Sequence, residues 1–411
     1  MIFRRLISSA LLAVYLSAFA QNSDWTQWRG AQRDGMATAF AAPQTWPKQL
    51  NQIWRVEVGE GHASPLVQDK RVFVFTRFHD QETISAFELA NGKLIWRVQY
   101  AAPYRVTAEA SAHAKGPFAT PALYEGKLYT FGITEILSAH EAASGKLIWR
   151  KDYSKEYQMP HPYYGTSLSP LLVDGLCLVH VGGPGNGAFV ALEAATGAER
   201  WRWSGDGPAF ASPIVAELYG VQQVIAKTQQ HVIGVELHSG KLLWQAPYKV
   251  AYDNTITTPV LYQNLLLLSD FETRLHAIQI KHGNGAWSTA PAWRNEQINL
   301  FLNTPVLRED LLFGFSNRNG GQYFCLAPRT GELLWTSAGR QAESAVTLLA
   351  GKLFVILTES GELIFAEANE RNYAPRAKYQ VAESNTFAHP VLIKNTILIK
   401  EQMHLTRWEL R

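Results

Sequence analysis

From residue 51 to the C-terminus the chain is built of short apolar-rich runs, each broken after a few residues by Gly, Asp, Asn or Pro. No stretch holds a helical period. A typical unit opens with an apolar run such as SPLV (64–67) and meets a turn such as DK, EG, DG or AG. A second β-rich run follows, as in RVFVF, KLYTF, LCLVH or KLFVIL, and then a third, as in TISAFEL, ILSAHEA or FVALEA. Short runs rich in β-branched and aromatic residues, bounded by turn formers, predict strands.

The fourth run is marked by a repeated signature: NGKLIW (91–96), SGKLIW (144–149), TGAERW (196–201), SGKLLW (239–244) and TGELLW (330–335). Asn-, Ser- or Thr-Gly supplies a tight turn with positive φ, and the strand after it ends on Trp. Eight openings can be counted: SPLV, TPAL (120–123), SPLLV (169–173), SPIV (212–215), TPVL (258–261), TPVL (304–307), SAVTLL (344–349) and HPVLI (389–393). Pro suits the first residue of a strand, where its missing N–H costs least.

Four strands per unit of roughly 40–55 residues match a propeller blade. The expected fold is therefore all-β: an eight-bladed β-propeller of four-stranded antiparallel blades, with seven blades as the runner-up. After His389 there is room for only three strands. NQIWRVE (51–57) is a lone fourth strand with Trp54 in the signature position, so an N-terminal strand should close the C-terminal blade. The fifth unit is irregular, with Asn284-Gly285 and a longer path to Trp293, and the seventh offers Tyr379 instead of Trp. At a fixed outer-strand position the repeated Trp read as blade-to-blade packing, since Trp buries a large area.

Residues 1–20 carry a basic start (Arg4, Arg5), a short apolar run and Ala18-Phe19-Ala20, which together read as a signal peptide cleaved near Ala20. Residues 21–50 form an N-terminal extension expected to pack on the propeller, which occupies residues 51–411 as one domain. No later run reaches the ~18 apolar residues of a membrane span, and no Cys near the cleavage point offers a lipid anchor. The expectation is a soluble, periplasmic or secreted monomer.

Composition narrows the partner. The 38 basic and 35 acidic residues nearly balance, and no basic block supports nucleic-acid binding. Cys177 and Cys325 sit in apolar runs and read as small buried residues. Neither HExxH, GxSxG nor Walker A is present, so no catalytic or metal-binding residues are assigned. Propeller topology does place the loops leading into the innermost strands on one face, with those joining the second and third strands. On that top face the chain sets His62, His113, Lys115, Tyr163, Tyr164, Asp206, Gln229, Asp253, Asn254, Arg318 and His389, a mixed polar and aromatic ring suited to ligand binding.

The pattern A-x-[ED]-x-x-[TS]-G-x-x-x-W, here ALEAATGAERW, resembles the pyrroloquinoline quinone (PQQ)-like repeat, and WTQWRGAQRDG (25–35) resembles the start of exported bacterial propellers of that type. That family includes quinoprotein dehydrogenases and the outer-membrane assembly scaffold BamB. The resemblance implies an exported, non-catalytic binding or scaffold protein without a cofactor. Its partner would be an envelope protein, or a small polar ligand, on the top face. The alternative it implies is an oxidoreductase using PQQ with calcium on alcohols or sugars. The quinoproteins share an adjacent Cys-Cys disulfide, which Cys177 and Cys325 do not reproduce, and no dense acidic loop offers calcium its oxygen ligands.

Overall fold

The structure, a computed structural model, describes residues 24–106, 115–157, 164–251 and 255–410. The expected signal peptide lies outside these residues. Among the described residues, thirty-two strands form eight four-stranded antiparallel sheets. Seven blades are consecutive in sequence: residues 66–101, 122–152, 171–204, 214–247, 260–299, 306–336 and 345–380. The eighth takes three strands from the C-terminal end and its outermost from Asn51–Glu57, which pairs with His404–Glu409. Asn51 faces Glu409 and Glu57 faces His404. Backbone hydrogen bonds thus lock the two ends together, and the ring is left without a break.

Apolar clusters straddle the blade boundaries. One joins Tyr129 and Phe131 of blade 2 to Val179 and Val190 of blade 3, with Cys177 buried among them. Cys177 and Cys325 are both buried free thiols.

The signature has a three-part mechanism. Each outermost strand carries a register shift against its neighbour, a β-bulge, in all eight blades. Bulges re-aim side chains; here the Trp turns toward the next blade. Its Nε1 donates to a carbonyl in that blade's turn: Trp54 to Leu89 O (2.9 Å), Trp149 to Ala194 O (2.9 Å), Trp201 to Leu237 O (2.9 Å) and Trp335 to Asn369 O (2.9 Å). The turn Gly lies under the indole. At Gly240, with φ +70°, a Cβ would meet Trp201 at 2.4 Å. The Gly is therefore required twice, for its φ and for the close approach of the ring.

Both irregular blades follow from this mechanism. Blade 5 replaces the Ser/Thr-Gly turn with a hairpin of Thr273–Gly283 and Ala286–Asn299. Trp244 of blade 4 lacks the usual carbonyl and donates instead to Gln223 Oε1 within its own blade, at 2.6 Å. Blade 7 faces the seam where the fourth strand of blade 8 comes from the other end of the chain. No turn exists there, and Tyr379 reaches the lead-in segment instead, its hydroxyl donating to Pro47 O at 2.9 Å.

The Ser/Thr-Pro openings form a second device. The backbone N–H of one opening residue donates to the hydroxyl of the next: Ser64 to Thr120, Thr120 to Ser169, Ser169 to Ser212, Ser212 to Thr258 and Thr258 to Thr304, at 3.0–3.2 Å. His389 N–H closes on Ser64 Oγ at 2.9 Å. This girdle around the channel satisfies buried N–H groups at strand ends that have no ladder partner. It breaks at blade 7, whose opening SAVTLL lacks the Ser/Thr-Pro pair.

Candidate functional site: a plugged central channel

Residues 24–41 run across the exit ends of the innermost strands. Trp25 exchanges two backbone bonds with Val67, Thr26 O accepts from Leu123 N–H, Ala37 N–H donates to Leu349 O, and Ala41 N–H to Lys394 O. Between these anchors the chain turns into the channel. Arg33 donates to Pro170 O (2.9 Å), Ser169 O (3.3 Å) and Pro213 O (3.4 Å), and Arg29 donates to Pro305 O (2.8 Å). The Trp28 ring lies within cation–π range of both guanidinium groups, at 5.4 and 5.7 Å. Trp28 also meets the His389 ring edge-on at 5.7 Å. Indole, imidazole and two guanidinium groups thus fill the middle of the ring. Burial, with Arg29 beside it, pushes the His389 imidazole down to about 3, so it stays neutral.

Above the plug, on the strand-entrance face, a funnel of about 300 Å³ opens among His62, Phe118, Tyr164, Ser167, Phe210, Ile256, Phe301 and Leu302. A smaller space of about 140 Å³ continues down to Trp28 and His389. The aromatic rings support one another: His62 sits 4.7 Å from Phe387 and 5.1 Å from Phe118, and Tyr164 lies 5.9 Å from Phe210. Leu302 is the odd member. It is held at φ +56° and leaves 38% of its surface exposed. A left-handed backbone at a branched residue is strained, and such strain concentrates at functional positions.

Of the eleven sequence candidates, His62, Tyr164 and His389 line this axial space. His113, Tyr163, Asp253 and Asn254 lie outside the described residues. Lys115 and Arg318 are exposed and away from the funnel lining, Arg318 in a 3-10 turn. Asp206 and Gln229 are buried and serve the loops. The Asp206 carboxylate accepts from Gly207 N–H (2.8 Å), Gln230 N–H (2.8 Å) and the Thr228 hydroxyl, with His231 Nδ1 at 3.3 Å. Burial opposes its charge, but these donors together hold its carboxyl below the usual carboxylate range. Gln229 Oε1 accepts from Gly185 N–H at 2.8 Å and pins the Gly-rich hairpin of blade 3.

Loop stitching by carboxylates recurs. Asp270 accepts from Ile256 and Thr257 N–H, Glu359 from Glu343 and Ser344, and Glu401 from Glu383 and Ser384. In each, two successive N–H groups of the loop entering a blade bond to one carboxylate of the turn beside it. Asp270 also holds the buried Lys227 ammonium at 2.6 Å. Asp206, Gln229, Asp270, Glu359 and Glu401 are thus committed to building this face, while mainly apolar and aromatic residues line the funnel among the described residues. Sequence reasoning placed Phe210 on the entry loops of this face, but Phe118, Phe301, Leu302 and Phe387, and the plug residues Trp28, Arg29 and Arg33, were not among the sequence candidates. For the plug, a signal existed: two Trp and two Arg in a segment outside the repeat.

A family profile described as "Outer membrane protein assembly factor BamB" matches residues 47–114 and 80–337, more than half of the chain. The chain belongs to the BamB family. The BamB of Shewanella oneidensis is 23% identical over 291 residues, 68% of this chain and 71% of that protein. The quinohemoprotein alcohol dehydrogenase ADH-IIG of Pseudomonas putida is 26% identical over 270 residues, 63% of this chain but only 32% of the enzyme. Among solved structures, BamB from Moraxella catarrhalis superposes with a TM-score of 0.58 at 13% identity, covering 88% of this chain and 98% of that one. The quinohemoprotein alcohol dehydrogenase of Comamonas testosteroni superposes with a TM-score of 0.65 at 12% identity, covering 94% of this chain and 80% of that one, so the likeness to both kinds of protein is one of fold.

PQQ is a planar quinone tricarboxylate that binds with calcium. Among the described residues, the funnel and the space below it present no carboxylate for a calcium ion and no Lys or Arg for the quinone's carboxylates. No group of three His, Cys, Asp or Glu side chains that could hold a metal ion occurs among the described residues. These residues do not fit the cofactor.

Proposed function

We propose that this BamB-family propeller is an exported, non-catalytic scaffold of the cell envelope that grips an apolar segment of a partner protein in its entrance-side funnel. The observation that carries the reading is Leu302, strained and exposed at the lip of an aromatic-lined opening whose floor is closed by Trp28 and His389. An apolar opening on an otherwise polar face marks an interaction site, and aromatic anchors of this kind dominate binding energy at interfaces. Two polar candidates, Asp206 and Gln229, are instead committed to neighbouring loops.

The test is photo-crosslinking in the native envelope from a reactive residue at Phe210, with Lys93 on the outer rim as the control position. One defined protein should be captured from Phe210 alone, and Leu302→Asp should abolish capture without changing the circular dichroism. Equal capture from both positions would refute the reading. The similarity to ADH-IIG keeps an oxidoreductase as the competing function. Saturable change in PQQ absorbance with calcium, together with dye-linked alcohol oxidation, would replace the scaffold reading with that one.

A further inference from the structure

On the opposite side of the plug, toward the exit ends of the innermost strands, a second cavity of about 620 Å³ is lined by Arg29, Arg33 and the inner strands of blades 3 to 6. Its size falls in the range of small-molecule sites. Its chemistry is asymmetric. Leu171, Ile214, Val215, Val260 and Leu261 supply apolar lining, while the N-terminal segment adds the Arg29 and Arg33 guanidinium groups together with Gln27, Gln32 and Asp34. Both arginines are buried, at 2% and 8% exposure.

Neither arginine forms an ion pair among the described residues. Arg33 spends three bonds on backbone carbonyls and Arg29 spends one. The Nε of each is buried without a protein partner. Asp34 also lines the cavity and attracts Arg29 electrostatically, but it is exposed, its Oδ1 accepts from Met36 N–H, and it forms an ion pair with neither arginine. Buried charges are normally paired, and here two like charges share one site. Burial pulls the Arg29 guanidinium down to about 10, and burial together with Arg29 pulls Arg33 down to about 9. Both remain charged at neutral pH, so the cavity lining holds two positive charges against the single acidic side chain of Asp34, beside an apolar surface.

We propose that this exit-side cavity binds an amphiphilic carboxylate, its head on Arg29 and Arg33 and its apolar body along Leu171, Ile214 and Leu261. Arginine matches a carboxylate through directed, charge-assisted hydrogen bonds, and the apolar lining matches an alkyl or apolar side-chain body. The site is separated from the entrance-side funnel by Trp28 and His389, so it stands independently of the partner proposed there.

The probe is sodium decanoate, titrated calorimetrically into the purified protein, with decanol as its uncharged counterpart. The expected result is saturable binding of one decanoate per chain with a raised melting temperature, and at least tenfold weaker binding of decanol. Arg29→Gln should weaken decanoate at least tenfold. Leu261→Trp fills the cavity while keeping both arginines; it should remove binding and serves if Arg29→Gln fails to fold. Phe210→Asp, in the other opening, should leave decanoate binding unchanged. Absence of saturable binding overturns the proposal, as does binding that survives Leu261→Trp or is lost in Phe210→Asp.

Discussion

Replacing Gly240 with Ala tests how the blades are held together. Two costs can be separated. Gly240 sits at φ +70°, where an L side chain is disfavoured by about 1–2 kcal/mol. The added Cβ would also lie 2.4 Å from Cε3 and 2.6 Å from Cδ2 of Trp201. That ring cannot retreat freely: it is buried, its Nε1 is bonded to Leu237 O, and it packs on Phe189. Overpacking of this kind costs about 1–3 kcal/mol, so the total should be about 2–5 kcal/mol. Gly175 provides the matched control. Its φ is +75° and nothing lies within 4 Å of the added Cβ, so Gly175→Ala should cost only the backbone part, about 1–2 kcal/mol. Urea unfolding followed by Trp fluorescence measures both, read as midpoint shifts at constant slope. Trp201→Leu combined with Gly240→Ala should show positive coupling, because the smaller side chain makes room. Equal losses in the two alanine variants would refute the idea that the signature Gly is a docking surface for the indole.

Three further outcomes follow from buried polar groups. Thr120→Val strands the Ser64 N–H that its hydroxyl accepts at 3.0 Å, and should cost about 1–3 kcal/mol; Thr120→Ser should restore the urea midpoint. Lys227→Met leaves the fully buried Asp270 without its cation and should cost about 3–5 kcal/mol, whereas Lys378→Met, from a pair with Glu362 that is largely exposed, should cost about 0–1 kcal/mol in the same denaturation series. His389 titrates near 3 in the folded chain against an ordinary 6.5, so between those values the unfolded chain binds more protons. The stability linked to it is whole above about pH 6.5 and is lost as the pH falls, by about 3 kcal/mol at pH 4. His389→Phe should flatten the acid limb of melting temperature against pH, and an unchanged limb would assign acid sensitivity to other groups.

The blade count was legible because each blade is a local object. An opening run, a turn and a strand ending on Trp recur within a few dozen residues, and the alternation that forms a strand is written in neighbouring positions. Even the departures were legible: the Asn284-Gly285 hairpin and Tyr379 both marked places where the docking turn is missing. The seam was legible too, since Trp54 stands in the signature position with no strands before it. The site was far less so. Asp206 and Gln229 have the composition of ligand-binding groups, yet both are consumed by backbone N–H groups of nearby loops. Leu302 carries no distinguishing signal in sequence, because its importance comes from a backbone conformation and from the aromatic rings that surround it.

The amino-acid sequence by itself determined the repeat, the strand order within each blade, and the pairing of Asn51–Glu57 with the C-terminal end, because these depend on short-range periodicity and on counting strands. Only the tertiary structure decided what occupies the axis. Arg29 meets Pro305 across 276 residues, and Arg33 meets Pro170 across 137. Contacts so distant in sequence leave no local pattern, since they exist only once the ring has closed around the segment. Closure of the ring sets Trp28 and His389 between an aromatic funnel on one side and two unpaired guanidinium groups on the other, and those two spaces are where the chemistry of this propeller is to be sought.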